Sequence, residues 1–202
     1  MKALRPVSDV GGLPSVVFGQ RSLMWWGTLG FMVIEGWTTA LIFASYFYVR
    51  QNFEAWPPLQ TPLPSLTIPT INLALMLASF IPAALAARAG KALDRAGVRR
   101  WLTVMSVLVV PTVVLRWWDL WALNVRWDTN AYGTAVWLLV GFHASLLLFD
   151  VGDTVGLTLF YWLKPMPAKS FSDASDNSMY WYFTVALWAA IYLIVYVGPR
   201  IF

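Results

Sequence analysis

The chain has 202 residues, of which 59% are hydrophobic and 12% are charged, with a formal net charge of +4. This polar fraction is too small to cover a soluble globule, so the composition predicts an integral membrane protein and disfavours soluble enzymes and disordered chains. There is no cysteine and only one histidine, His143, so the chain lacks the ligand sets that haem, iron–sulfur clusters, copper or structural zinc normally use. We therefore expect this chain to bind no redox cofactor, and any redox metal to lie on a partner.

The basic residues lie between apolar segments and form no continuous stripe, so they mark membrane topology and indicate no nucleic-acid binding. Residues 1–23 have a basic start but no apolar run of the length that a signal peptide needs, and we expect a cytoplasmic N-terminal tail. Of the 14 lysines and arginines, ten fall on the side of this tail and four on the other. The positive-inside rule then predicts a cytoplasmic N-terminus and a C-terminus outside, in the periplasm.

Long apolar segments predict an all-α fold, in which five transmembrane helices form a bundle within one domain, residues 24–199. Each segment has about the length needed to cross a hydrocarbon core of about 30 Å. The predicted spans cover residues 24–49, 68–87, 101–123, 135–163 and 179–197. Repeated prolines exclude a helix between the first two spans, and Pro111 predicts a kink in the third.

Ionisable residues inside the predicted spans are the first candidates for a functional site. Glu35 lies in the first span, and His143, Asp150 and Asp153 lie in the fourth. A charge near the bilayer centre costs about 2.5–3.5 kcal/mol on insertion scales, so these side chains are expected to face away from lipid. The helical rise predicts that Glu35 and Asp153 share one depth, and the spacing of seven residues puts His143 and Asp150 on one helix face.

Two interpretations of these four residues stay open. One is a polar seam that conducts protons or binds ions, and the other is a set of hydrogen bonds that holds helices or subunits together. Glu35 and His143 favour the second interpretation, because a proton route needs more polar stations than these. For Asp150 and Asp153, which lie one helical turn apart, neither interpretation is preferred.

Aromatic and charged residues near the predicted ends of the spans are expected at the membrane surface, where tryptophan and tyrosine are typical. The expected interface or lipid-headgroup residues are Trp56, Arg116, Trp117, Trp118, Asp119, Tyr180 and Trp181. Small residues such as Gly27 and Gly30 permit close helix approach, either as packing within the bundle or as a docking face for another subunit.

The order of these features resembles subunit III of the haem–copper oxidases (cytochrome c oxidase polypeptide III) in its short five-helix form. Glu35 matches the glutamate at the centre of a family helix. The other similar motifs, in chain order, are Trp56-Pro57-Pro58, Tyr132-Gly133, Gly141-Phe142-His143 and Tyr180-Trp181-Tyr182-Phe183. The chain differs at Leu146 and Tyr182, where the family has histidines, and at Val185, where it has an aspartate.

This resemblance implies a non-catalytic subunit of a terminal oxidase that reduces oxygen to water and pumps protons in the bacterial inner membrane. It implies haem and copper on partner subunits I and II, contact mainly with subunit I, bound phospholipid, and support of proton uptake. The alternative in the same superfamily is an accessory subunit of a nitric oxide reductase or a quinol oxidase. An alternative of another class is a small proton-coupled transporter that uses Glu35, Asp150 and Asp153, although no internal repeat supports it.

Overall fold

The computed structural model describes residues 16–165 and 167–201. Residues 1–15 of the expected tail, including Lys2 and Arg5, lie outside this part of the chain. The described residues form helices and connecting turns with no strand, and five helical segments are long and apolar enough to cross a membrane. The predicted all-α class with five membrane-crossing segments is therefore confirmed.

Six α-helices build the five segments, because the second segment is divided at Ser79. The helices are α1 (Leu23–Arg50), α2 (Thr67–Ala78), α3 (Phe80–Lys91), α4 (Arg95–Trp121), α5 (Ala131–Leu163) and α6 (Asp173–Tyr192). A π turn, Leu193–Val197, and a 3₁₀ turn, Gly198–Arg200, continue α6 to the end of the fifth segment.

Side-chain caps fix the starts of α4 and α5. The Asp94 carboxylate accepts a hydrogen bond from the Gly97 N–H at 3.0 Å, and the Asn130 side-chain oxygen accepts one from the Gly133 N–H at 2.8 Å. Each cap satisfies a backbone donor that has no partner within the first helical turn. As a result α4 begins at Arg95, six residues before the predicted span, and α5 begins at Ala131, four residues before its span.

Helix α5 is the central element of the bundle, and α1 lies at its edge. α5 packs against α1, α4 and α6, whereas α1 contacts mainly α5 and α6. In α1 only Thr39 and Tyr46 are buried, and many of its large apolar side chains are exposed. The largest side chains of the core belong to α5 and to the fifth segment: Tyr132, Tyr161, Trp181, Trp188 and Tyr196.

Two arginines at the start of α4 bind the end of α5. Arg99 Nε donates to the Tyr161 carbonyl oxygen at 2.6 Å, and Arg95 Nη2 donates to the Lys164 carbonyl oxygen at 2.9 Å. The last carbonyl groups of a helix have no partner within it and carry partial negative charge, which favours cations there. These two arginines, besides setting topology, therefore join α4 to α5.

Candidate functional site

Two groups of polar side chains lie within the bundle. The first, the Glu35 cluster, consists of Glu35, Asp150, Asp153 and Tyr180. The Tyr180 hydroxyl on α6 lies 2.7 Å from Oε1 and 2.6 Å from Oε2 of Glu35 on α1. A hydroxyl has one hydrogen, so the two carboxylate oxygens share this donor. The contact joins the middle of α1 to α6.

Asp150 extends the Glu35 cluster into α5. The residue is only 1% exposed, and it lies in electrostatic contact with Glu35 and Asp153. Neither of its carboxylate oxygens has a hydrogen bond of ordinary geometry. The hydroxyl of Thr184 is close to it, but donates to the Tyr180 carbonyl oxygen at 3.2 Å. Asp150 is therefore a buried carboxyl group for which the described residues supply no hydrogen bond of ordinary geometry.

Asp153 follows one helical turn later and is exposed on the surface of the bundle. Its neighbour Thr154 donates to Asn177 Oδ1 at 3.0 Å, whereas Glu35 bonds to Tyr180, three residues further along α6. Asp153, one residue before Thr154 on the antiparallel α5, thus lies about 3 Å nearer to the start of α6 than Glu35 does. Within the described residues, the ion pairs are Arg116–Asp119 and Arg126–Asp128, so none of them includes a carboxyl group of the Glu35 cluster.

His143 lies on the same buried side of α5 as Asp150, and both face α6. His143 Nε2 is 2.9 Å from the carbonyl oxygen of Thr184, so Nε2 carries the proton that is donated. The ring also packs against Trp188, with 5.3 Å between centroids. Thr184 is therefore the residue of α6 that both His143 and Asp150 approach.

The second group, the Arg116 centre, consists of Asn72, Arg116, Asp119 and Trp188. Arg116 Nη1 lies 3.2 Å from Asp119 Oδ2, and the two residues are 3% and 0% exposed. Asn72 Nδ2 donates to the same carboxylate oxygen at 2.5 Å. The guanidinium carbon lies 3.5 Å from the centroid of the Trp188 ring, a favourable cation–π position. Both charges are thus compensated inside the protein.

Arg116 and Asp119, which were expected near the membrane surface, are buried within the bundle. Trp117 and Trp118, which lie between them in sequence, are exposed by 63% and 49%. The difference follows from helical spacing, because positions three apart share one face while the intervening residues point elsewhere. The charges face inward since Asn72 and Trp188 supply partners there.

Trp56, Trp181 and Tyr180, which were also expected in the headgroup region, have partners within the bundle for their polar atoms. Trp56 is 8% exposed and Trp181 is 0% exposed. Their indole N–H groups donate to the hydroxyls of Tyr46 and Ser79, each at 2.7 Å. Tyr180 is half-buried and bonds to Glu35. Each polar atom has an internal partner, which removes the penalty that otherwise keeps such side chains near water.

Sequence reasoning missed the partners that organise both groups. Tyr196 donates to the Asp119 carbonyl oxygen at 2.8 Å, and Thr184 lies between His143 and Asp150. The Thr184–His143 and Tyr196–Asp119 contacts join residues 41 and 77 positions apart, and hydropathy gives no signal for such pairs. Among the described residues, no three histidine, aspartate or glutamate side chains are grouped to hold a metal ion.

The chain matches no protein-family model. Among curated proteins, "Cytochrome c oxidase subunit 3" of Synechocystis sp. is 24% identical over 88% of this chain and 77% of its own length. The protein of the same name from Thermostichus vulcanus is 23% identical, over 86% and 87% of the two chains. That from Corynebacterium diphtheriae is 25% identical, over 84% and 85%. These relatives support assignment to the cytochrome c oxidase subunit III family.

The resemblance found in the motifs is therefore confirmed. All three relatives are named as subunit 3 of a cytochrome c oxidase. The five membrane-crossing segments agree with a multi-pass subunit III. The Arg116 centre lies in the core, whereas the Glu35 cluster extends from the buried Asp150 to the exposed Asp153.

Proposed function

We propose that the chain is the non-catalytic subunit III of a bacterial haem–copper terminal oxidase, which reduces oxygen to water and pumps protons. The observation that carries the proposal is the similarity to three curated subunit 3 proteins over 84–88% of this chain. Haem and copper belong on partner subunits I and II, in keeping with a sequence that has one histidine and no cysteine.

The chain packs against subunit I in the bacterial inner membrane and stabilises it. Support comes from α1, in which only Thr39 and Tyr46 are buried and many large apolar side chains are exposed. The N-terminus is cytoplasmic and the C-terminus is periplasmic. The burial of Arg116 in an ion pair strengthens this orientation, because it leaves only three basic residues at the outer ends of the helices.

The chain also binds phospholipid. A cleft of about 350 Å³ between the end of α1 and the turns after α6 is suitable for an acyl chain, because most of its lining is apolar. Arg50 lies at the same cleft, where a cation attracts a phosphate group. The lining residues are Tyr46, Phe47, Arg50, Trp56, Leu193, Ile194, Gly198 and Pro199.

The chain supports proton uptake through the Glu35 cluster. Glu35, Tyr180 and Asp150 bring three titratable side chains from three helices into electrostatic contact within the bundle. Titratable side chains that lie close to one another can pass a proton between them, which an isolated carboxyl group in lipid cannot do. If this role holds, replacing Glu35 by Gln slows proton uptake by the complex during turnover.

The experiment that tests the subunit role is a mild-detergent purification through an N-terminal tag, followed by an optical spectrum and mass spectrometry. Stoichiometric recovery of a haem–copper complex with subunits I and II supports the proposal, and the haem bands identify the oxidase type. Recovery with a nitric oxide reductase or a quinol oxidase contradicts the assignment of the partner enzyme. A colourless chain recovered alone contradicts the subunit role and makes proton-coupled transport the hypothesis to test in vesicles.

A further inference from the structure

One face of α5 has an open groove where two glycines have no side chain. A Cβ atom placed at Gly152 or at Gly156 meets no heavy atom within 4 Å. By contrast, a Cβ atom at Gly133 would come within 2.2 Å of the Arg126 carbonyl oxygen. Gly152 and Gly156 are four residues apart, so they lie on nearly one line along the helix. This spacing in a membrane segment is typical of a surface where a second helix approaches closely.

An acidic residue borders this groove. Successive residues of an α-helix are separated by about 100° around its axis. Asp153 therefore lies about 60° from Gly156 and about 60° from Asp150, between the groove and the side of α5 that faces the core. Asp153 is exposed, and Asp150 is 1% exposed, with the Thr184 hydroxyl nearby but no hydrogen bond of ordinary geometry to either carboxylate oxygen. The Glu35 carboxyl adds a third acidic group in electrostatic contact with Asp150. Acidic groups therefore accumulate beside the groove, and the ion pairs of the described residues leave them uncompensated.

We propose that this face of α5, formed by Gly152, Asp153 and Gly156, docks a transmembrane helix of a partner subunit that carries a lysine or arginine facing Asp153. The glycines allow the two backbones to approach, and the partner's cation compensates Asp153 and the buried Asp150 behind it. The proposal rests on the proposed function, because it requires an oxidase partner in the same membrane. It adds the surface and the chemistry of the contact.

Other occupants fit the face less well. Asp153 lies ten residues before the end of α5, about 15 Å along the helix, which is too deep for a lipid headgroup. A second copy of this chain, related by a two-fold axis, would bring Asp153 against Asp153, and like charges in a membrane repel. A metal ion is disfavoured because the described residues contain no group of three suitable ligands.

The test compares variants of the full chain in the tagged purification of the complex. Asp153→Asn removes the charge and keeps the shape, and Gly152→Leu fills the groove. The control is Ala74→Leu on α2, an exposed position that also gains a large apolar side chain. We expect Asp153→Asn and Gly152→Leu to lower the recovery of subunit I or II roughly tenfold or more, and Ala74→Leu to leave it unchanged.

The thermal stability of each purified full chain separates docking from folding. Asp153→Asn is expected to leave the chain equally stable or more stable, because it reduces repulsion with Asp150. Loss of oxidase subunits together with retained chain stability supports the proposal. Gly156→Leu provides a second groove variant if Gly152→Leu does not fold.

Three results overturn the inference. If the unmodified chain recovers the oxidase and both Asp153→Asn and Gly152→Leu recover it equally, the face is not the docking surface, and the proposed function stands. If Gly152→Leu changes the number of copies of this chain while oxidase subunits stay bound, the occupant is a second copy. If the unmodified chain is purified without any oxidase subunit, the proposed function fails and the docking inference fails with it.

Discussion

At the scale of single residues, the Tyr180 hydroxyl is the donor that the structure provides to the Glu35 carboxyl group. Replacing Tyr180 by Phe leaves an acidic group in a membrane helix without this donor. We expect the free energy of unfolding to fall by about 1–3 kcal/mol, the typical cost of removing one partner from a buried polar group. Reversible unfolding in mixed detergent micelles measures the change.

A double-mutant cycle with Glu35→Gln assigns the loss to this hydrogen bond. We expect the effects of Tyr180→Phe and Glu35→Gln to be non-additive, since each removes the same contact. Tyr48→Phe is the matched control, because Tyr48 lies on α1 and is 71% exposed. Additive effects of the two substitutions would show that the bond does not stabilise the chain.

The ion pair of the Arg116 centre makes a second prediction at this scale. Asp119→Ala leaves the Arg116 guanidinium buried without its carboxylate and is expected to cost about 3–5 kcal/mol of unfolding free energy. Replacing both residues, Arg116→Met with Asp119→Leu, is expected to recover most of this loss, because no unpaired charge remains. Thermal unfolding of the purified variants measures both effects.

The exposed pair of Arg126 and Asp128 supplies the control for this experiment. Arg126 Nη2 lies 2.8 Å from Asp128 Oδ2, with the side chains 75% and 40% exposed. Asp128→Ala is therefore expected to cost less than about 1 kcal/mol. Equal losses in Asp119→Ala and Asp128→Ala would contradict the buried position of the Arg116 centre.

Single residues also show how far the sequence predicts the candidate site. The position of Glu35 inside a membrane segment was evident from hydropathy, but its donor Tyr180 lies 145 residues away on a helix whose contact with α1 has no local signal. Trp181 was expected at the membrane surface because tryptophan is typical there. The structure adds that Trp181 is buried within the bundle, because the Ser79 hydroxyl accepts its N–H and makes burial of the indole favourable.

At the scale of helices, the division of the second segment at Ser79 makes a site for Trp181. The Ser79 hydroxyl donates to the Met76 carbonyl oxygen at 2.6 Å and accepts from the Trp181 indole at 2.7 Å. Ser79→Ala is expected to lower the free energy of unfolding by about 1–3 kcal/mol, because the buried indole N–H loses its acceptor. Calorimetry of the detergent-solubilised chain measures the loss.

Ser45 offers the comparison for Ser79. Its hydroxyl donates to the Leu41 carbonyl oxygen at 2.9 Å on the exposed side of α1, and no buried donor depends on it. Ser45→Ala is expected to change stability by less than about 0.5 kcal/mol. If the two serine variants are equally stable, the hydroxyl of Ser79 does not support the contact between the second segment and α6.

Helix bounds were only partly predictable, for a related reason. Hydropathy finds the part of a helix that lies in lipid, but the helix begins where a backbone N–H finds a partner. Asp94 and Asn130 are suitable capping residues in the sequence, and they start α4 and α5 several residues before the apolar runs. The number and class of the helices follow from apolar length, whereas their ends depend on individual caps.

At the scale of the whole molecule, some basic residues bind other groups of the protein, and the rest mark the ends of the bundle. Arg95 and Arg99 bind the carbonyl groups at the end of α5, and Arg116 is paired within the core. The connection between α3 and α4 lies at the basic end of the bundle, and the connection between α4 and α5 lies at the opposite end. Orientation in the membrane therefore predicts different accessibility for these two connections.

The chain has no cysteine, so a single cysteine reports its position without background. Ala92→Cys lies between α3 and α4, and Thr129→Cys lies between α4 and α5; both positions are exposed. We expect a membrane-impermeant maleimide to label Thr129→Cys in cells whose inner membrane is intact, and Ala92→Cys only after permeabilisation. The reverse pattern would place the basic end of the bundle outside and contradict the positive-inside orientation, since five crossings fix both connections together.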